Sequence, residues 1–468
     1  MSIIETQPTT EHPDQLELLR NTVQGQVYLP GDTGYDTTVS GFNLLFIQRP
    51  RIVVAAATAA DVSAAVRYAA ALNLSVGVQA TGHGGAKPAD DALLIHTGAL
   101  TGVQVDPATR SARVEAGARW AAVLGPAQEH GLAPLLGSSS DVGAVGYTLG
   151  GGFGWLGRRY GLCSDSVLQF ELVTPDGREI VASPWQNEDV FWALKGGGGG
   201  TLGVVVAMTI ELYPVAEVYA GNMLYPAAQA GEILRRFRDW APGTDEKLTS
   251  AVTLMHFPPL PDVPEPLRGN SFVLVRGCWS GDVAEGEQVM SYWRDWQTPV
   301  MDMFGPMPFA MADMISQDPT DPIPAVVSSE WFDQLDDEAI DLLVEIWTPK
   351  PGQPPLLLLA EVRNAGGAIR AGASVAVNDR GRSGEFLLEM IGVPFAPDLV
   401  PAVYGHIAQA RELLAPYVNG ATYLNFTEGA EKQDRTAAAF SDEHRARLVS
   451  VKRSLDPDNR FSHGFDVR

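Results

Sequence analysis

The chain has 468 residues, 45% of them apolar, and sets 33 Lys plus Arg against 56 Asp plus Glu for a formal net charge of -23. A chain this long exceeds one hydrophobic unit, so two or more lobes are expected; no basic block exists to track a phosphate backbone, which argues against nucleic acid as a partner. No stretch is apolar for long enough to cross a bilayer. The cysteines at 163 and 278 do not make a disulfide scaffold, and MSIIETQPTTEHPDQLELLR lacks the basic and apolar regions of a secretory signal, so the expected compartment is the cytoplasm.

In chain order, IVVAAA reads as a strand, and Thr58 caps a helix in which Val62, Val66 and Ala69 or Ala70 share a face. LSVGVQA is a second strand, ending in the loop TGHGG at 81 to 85; DALLIH and SARVEAGA are further strands, and ARWAAVLGPAQEHG is a helix ended by Gly131. GSSSDVGAVGYTLGGGFGWLG, residues 137 to 157, carries glycine at a density that implies sharp turns or close approach of a ligand. VLQFELVTPDGREIVA is a hairpin turning at PDG. A short helix, a second glycine run (KGGGGGTLG) and a long strand ending at Pro214 follow.

Composition shifts at that proline. Between 215 and 415, amphipathic helices near EILRRFRDWA, EGEQVMSYWRDW and DLVPAVYGHIAQARELL alternate with the strands SFVLVRG, PLLLLAEVR and EFLLEMIGV. This predicts an antiparallel sheet covered by helices on one face. YLNFTEG, a helix around HRARLVSVKRSL, and DPDNRFS then close the chain back on the first lobe.

Gly152, Gly154 and Gly157 satisfy GxGxxG, with Asp176 at the distance of a ribose-binding acid. That fingerprint requires a strand, tight turn and helix in one βαβ unit. Here the glycines follow a serine-rich loop and Asp176 sits in a hairpin turn, so a dinucleotide fold of that type is rejected. Motifs for P-loop transfer, serine hydrolysis and zinc chemistry are absent, and no metal site is expected.

Taken together, IVVAAATAADVSAAVRYA, TGHGG, SARVEAGARW, SSSDVGAVGYTLGGGFGWLGRRYGLCSDSVLQFELVTPDG, DVFWALKGGGGGTLGVV, YLNF and VKRSLDPDNRF resemble the vanillyl-alcohol oxidase superfamily. Within it they are most similar to the berberine-bridge-enzyme-like FAD-linked oxidases. The resemblance implies an α+β, two-lobed PCMH-type FAD-binding fold: residues 1–214 and 416–468 forming the FAD-binding domain, residues 215–415 a substrate domain. It further implies bicovalent FAD, attached at the 8α carbon through His83 and at C6 through the Cys163 sulfur. Imidazole and thiolate suit such additions; the alternatives are a hydrogen-bonding His83 and an unbonded thiol at Cys163. Cys278 is core packing.

By the same resemblance, Thr81, Gly82, Gly84 and Gly85 of the first loop adjoin the cofactor, as do Ser138, Ser139, Asp141, Val142 and Gly143. Gly146, Gly150, Gly151, Gly152 and Gly154 in the first glycine run, Gly200, Gly203 and Val204 in the second, and Asn425 complete that set. Glycine turns expose N–H donors to anions.

The implied reaction is oxidation of an alcohol or sugar hydroxyl of an oligosaccharide or bulky natural product, with O2 reduced to H2O2. A dehydrogenase of the same fold using another electron acceptor is the alternative. Tyr423 is the base favoured by its Y-x-N setting, although the ordinary tyrosine pKa of about 10 requires a partner to lower it. Tyr147 either lines the site or packs. Glu361 and Arg363 share one strand face as pocket residues, with Glu389 similar; oxygen access is expected near Ala144 or Val145. The cysteine lies in GLCSD, outside the triplet of the oligosaccharide oxidases. The oligomer, monomer or dimer, is left open.

Overall fold

Thr58 starts its helix as the sequence predicts: in a computed structural model, which describes residues 13–261 and 263–467, its hydroxyl accepts the Asp61 N–H. Most of the leader reading falls on residues 1–12, outside the described residues. The helix Ala59–Ala71 buries Val62, Ala65, Val66 and Ala69 beneath a four-stranded sheet. In that sheet Ile52–Ala55, Leu93–His96 and Val76–Gln79 run parallel, and Gln26–Tyr28 pairs antiparallel at the edge.

A five-stranded antiparallel sheet lies alongside, ordered Val103–Asp106, Ser111–Glu115, Val204–Glu211, Val167–Val173, Glu179–Ala182. Its outer hairpin turns at Pro175-Asp176-Gly177, and Asp176 bonds Thr174 and Arg178 there. The acid is used up inside its own turn, as the rejection of the dinucleotide fingerprint required. The helix Trp120–Gln128 stops three residues before Gly131, whose φ of 66° reverses the chain.

The third sheet has eight strands, all paired antiparallel. Its alternation divides it sharply. Val252, Leu254, Val273, Val275, Val362, Leu388 and Met390 join one core with the helices Ala230–Trp240, Val283–Arg294, Asp337–Trp347 and Val400–Leu414. The alternate residues Thr253, Arg276, Glu361, Arg363 and Glu389 face the other way, toward the first lobe. Helices therefore cover one face and leave a polar face over the glycine loops, which is the α+β architecture expected.

The first lobe and the tail share a single core, in which Leu424, Ala439, Phe440, Leu448 and Phe461 pack with residues of the two smaller sheets. Two buried arginines bolt the lobes together. Arg158 donates to the Ala365 and Leu248 carbonyls at 2.8 and 2.7 Å, and Arg382, fully enclosed, pairs with Asp165. Cys278 is fully buried, as core packing demands. Among the described residues, no helix is long and apolar enough to cross a membrane, and no cluster of three metal-ligating side chains occurs.

Candidate active site

The loop carrying His83 leaves the C-terminal end of Val76–Gln79. The imidazole stacks on Phe42, centroids 3.9 Å apart, and Nε2 stands 3.5 Å from the Asp141 carboxylate. That is an ion-pair distance with poor hydrogen-bond geometry, and both atoms lack a hydrogen-bond partner. Burial pushes the His83 pKa down while Asp141 pulls it up, and burial wins. The ring is thus neutral, with its nucleophilic lone pair retained. Asp141 is braced from behind by Arg119.

Asp141 belongs to the segment expected to cradle a cofactor. Ser139 Oγ accepts the Asp141 N–H at 3.3 Å, and Ser140 is pinned through N–H and hydroxyl to Asp313 of the other lobe. Gly143 starts the helix Ala144–Leu149 with Thr81 packed against it. Gly146 is exposed amid buried neighbours, and a side chain there would meet nothing within 4 Å. This open face, the orphaned His83 and Asp141 atoms and the two glycine loops together fit an elongated anionic group such as FAD.

Most other glycines serve close packing. The space a side chain would need is filled by Gly41 backbone at Gly82, by Phe46 at Gly85, by Asn425 at Gly150, by Tyr147 and Cys163 at Gly152, by the Leu136 carbonyl at Gly154 and by Val173 at Gly203. Gly151 abuts Asn378, Gly84 abuts Lys432, and Gly200 faces Gly464. Of the two readings of the glycine density, sharp turns or ligand approach, much of it here lets the loops turn and nest on each other. Val204 is wholly buried in its strand, leaving only its backbone for any ligand.

Cys163 is fully buried in the first core, its Sγ 3.2 Å from Thr148 Oγ1, and burial pushes the thiol up to about 12. The thiol packs against Thr148 and Gly152, the setting of the unbonded alternative. Ala144 and Val145 are likewise buried, 0% and 3% exposed; Val142 is the aliphatic side chain of residues 137–154 that is part exposed.

Tyr423 comes from the tail segment 422–426 and is 1% exposed. Its hydroxyl oxygen accepts the Phe153 N–H at 2.7 Å and lies 3.4 Å from Asn425 Nδ2. Burial raises the phenol well above its ordinary value, opposed by Asn425, the Phe153 N–H and the nearby Arg363. Those donors are neighbours that sequence alone could not name. Asn425 also donates to the Tyr147 carbonyl at 2.9 Å, so it clamps the tail to the glycine run. Tyr147 lies edge-on to Trp120, 5.9 Å between centroids. Its hydroxyl is buried without a partner, within electrostatic reach of Tyr423 and Arg363.

Across from Tyr423, the sheet presents an alternating charge chain. Glu361 takes Arg363 Nε at 2.5 Å, Arg276 at 2.9 Å and the Thr253 hydroxyl at 2.6 Å. Burial opposes its ionisation, but the two guanidinium groups hold it at about 2. Arg363 reaches on to Glu389 at 3.0 Å, whose carboxyl burial pushes up to about 8 despite that contact. Arg363 stands 4.7 Å from the Phe426 ring and 5.9 Å from Phe153. With Ser138, Trp155, Thr249 and Ser250 it lines a cavity between the lobes. Arg276 escaped the sequence reading, although an arginine on the strand face opposite Val273 and Val275 in SFVLVRG signals a polar sheet face.

Residues 50–183 match the model of an FAD-binding domain, and residues 422–464 match a berberine and berberine-like segment. The chain is 26% identical to (R)-6-hydroxynicotine oxidase of Paenarthrobacter nicotinovorans over 95% of this chain and 97% of that one. An FAD-linked oxidoreductase of Dictyostelium discoideum is 23% identical over 96% and 95%. Among solved structures, 6-hydroxy-D-nicotine oxidase from Arthrobacter nicotinovorans superimposes with a TM-score of 0.82 at 22% identity, covering 95% of this chain and 98% of that one. The grass-pollen protein Phl p 4, a glucose dehydrogenase, gives 0.81 at 20% identity over 96% and 98%; an isoleucine-to-valine variant of it is a glucose oxidase. The chain thus carries an FAD-binding domain over residues 50–183 and a berberine-like segment over 422–464, and is an FAD-linked oxidoreductase.

Proposed function

We propose that the protein oxidises an alcohol or sugar hydroxyl, with Tyr423 as the base, FAD tethered through His83 and O2 as the final electron acceptor. The observation that carries this reading is the Tyr423 oxygen, buried between the Phe153 N–H and Asn425 and opposite the Glu361–Arg363 face. Bound FAD supplies a two-electron acceptor for the hydride leaving the substrate carbon.

The remaining work falls to the chain. Tyr423 takes the hydroxyl proton, its developing negative charge met by a backbone donor and an amide already in position. Arg363 orients the substrate oxygen from the sheet, held by Glu361 and Glu389 on either side. His83, whose Nε2 has no hydrogen-bond partner, is the residue that would hold FAD covalently, and Asp141 beside it would steady the imidazole. Cys163 is left out of the linkage because its sulfur faces protein on every side.

The names of similar proteins support an oxidase but leave the acceptor sensitive to detail. In Phl p 4 one isoleucine-to-valine change accompanies the passage from glucose dehydrogenase to glucose oxidase. A single methylene can therefore decide the acceptor in a protein of this fold. Val142 is the part-exposed aliphatic side chain of residues 137–154 and is our candidate for controlling oxygen access here.

Acid precipitation of the purified protein tests the attachment. The flavin absorbance should stay with the precipitate in wild type and in Cys163→Ala, and wash out in His83→Ala. A peroxide-coupled screen over alcohols, oligosaccharides, aromatic polyketides and hydroxylated pyridines tests the reaction. Flavin that washes from wild type, or turnover that reduces a dye and never O2, overturns the corresponding part.

A further inference from the structure

We propose that Lys432 is the cation that binds the diphosphate of FAD, an inference that rests on the FAD reading above. Lys432 lies on the helix Gly429–Arg435 and is 4% exposed. Its Nζ sits 3.4 Å from where a side chain on Gly84 would begin and 4.8 Å from the centre of the Phe465 ring. Phe465 in turn fills the side-chain space of Gly198, in the second glycine run. The helix is fastened to the first loop by the Gly429 N–H on the Gly85 carbonyl and by Gln433 on the Ala86 carbonyl, both at 3.1 Å. The amine is thereby delivered to the place where the two glycine loops converge.

Among the described residues, the Lys432 Nζ makes no ion pair within 4.0 Å; Glu428, the buried acid whose charge acts on it, is hydrogen-bonded to Asn43 instead. The other fully buried lysine shows what a satisfied ammonium looks like: Lys452 donates to the Thr201 carbonyl at 2.7 Å, to Asp456 at 2.5 Å and to the Phe461 carbonyl at 2.9 Å. A buried cation without such partners is costly, and truncated ion pairs show how costly. In a chain of net charge -23, a buried ammonium that feels Glu428 but makes no direct ion pair with it suits a ligand that arrives with its own negative charge. The diphosphate is that part of FAD; the ring and ribityl chain are not anionic.

The test uses the full-length His83→Ala protein, in which flavin binding is reversible, and compares FAD with riboflavin, which lacks the diphosphate. Lys432→Gln should raise the Kd for FAD about ten- to hundredfold, the loss expected of one charge-assisted contact, and leave the riboflavin Kd unchanged. Lys432→Arg should recover most of the FAD affinity. Equal losses for FAD and riboflavin would place the amine at the ring and overturn the assignment, as would unchanged FAD affinity. A parent that binds riboflavin and FAD equally poorly would sink the FAD reading itself; one that binds FAD well while Lys432→Gln binds equally well sinks only the lysine's role.

Discussion

The Phe153 N–H donates to the Tyr423 hydroxyl at 2.7 Å, joining a glycine-run backbone amide to a side chain 270 residues away. The tail thus does more than cover the FAD-binding lobe. It inserts its tyrosine against the lobe's own main chain, where a backbone N–H donates to the phenol oxygen.

Replacing Tyr423 with phenylalanine keeps the ring that packs against Phe426 and Trp331 and deletes only the oxygen. We expect kcat to fall by about 10²- to 10⁴-fold, the usual worth of a positioned base, with flavin content and melting temperature nearly unchanged. Raising the pH should restore part of the rate in the wild type and none in the variant. A variant that retains kcat would move the base elsewhere.

How far the sequence reaches is visible in three residues. Thr58 was legible because an N-cap is local chemistry, and the sheet face of Glu361 and Arg363 because strand alternation is a fixed period. The setting of Cys163 was not legible: its proximity to the glycine run is evident in the chain, but whether its sulfur faces a cleft or the core depends on how Thr148 and Gly152 pack around it. The glycine runs were legible only in part, for a related reason. A missing side chain records that something comes close, and only the fold tells whether it is a ligand or the protein's own backbone, as at Gly154 against Leu136.

Val142 offers a test of oxygen access. It is half-buried beside the exposed Gly146, so Val142→Ile would extend one methylene toward the opening with little core strain. Stopped-flow reoxidation by O2 should slow at least tenfold while reduction by substrate and turnover with an artificial dye hold steady. Equal effects on both half-reactions would mean that the residue shapes the substrate pocket and not the path of O2.

Glu389 makes stability depend on pH with a definite sign. Burial raises its carboxyl from 4.5 to about 8, so the folded state holds a proton that the unfolded chain releases. Its contribution is fully present below the unfolded value and is lost as pH rises through about 8. Glu361, held at about 2 by its arginines, contributes in the opposite, acidic window and does not mask this. Glu389→Gln should therefore flatten the fall in melting temperature between about pH 5 and 8. A wild-type and variant profile that run parallel there would show that the carboxyl ionises freely in the folded protein.

The strongest single tie between the lobes is Arg382 to Asp165. The guanidinium is fully enclosed and bonds both carboxylate oxygens, while Nε donates to the Ile369 carbonyl at 2.7 Å. Asp165 also receives the Leu162 N–H at 2.9 Å, shaping the turn that carries Cys163. Asp165→Ala strands a buried cation, which costs roughly 3–5 kcal/mol, whereas Asp165→Ala with Arg382→Met removes the charge along with its partner. The single variant should melt at least about 5 °C below wild type, and the double variant should recover a substantial part of that loss. Because both lobes meet above the glycine run, the single variant should also release flavin more readily from a His83→Ala background than its parent does. If the double variant melts no higher than the single one, the penalty lies in the lost turn at Leu162 and not in the unpaired arginine.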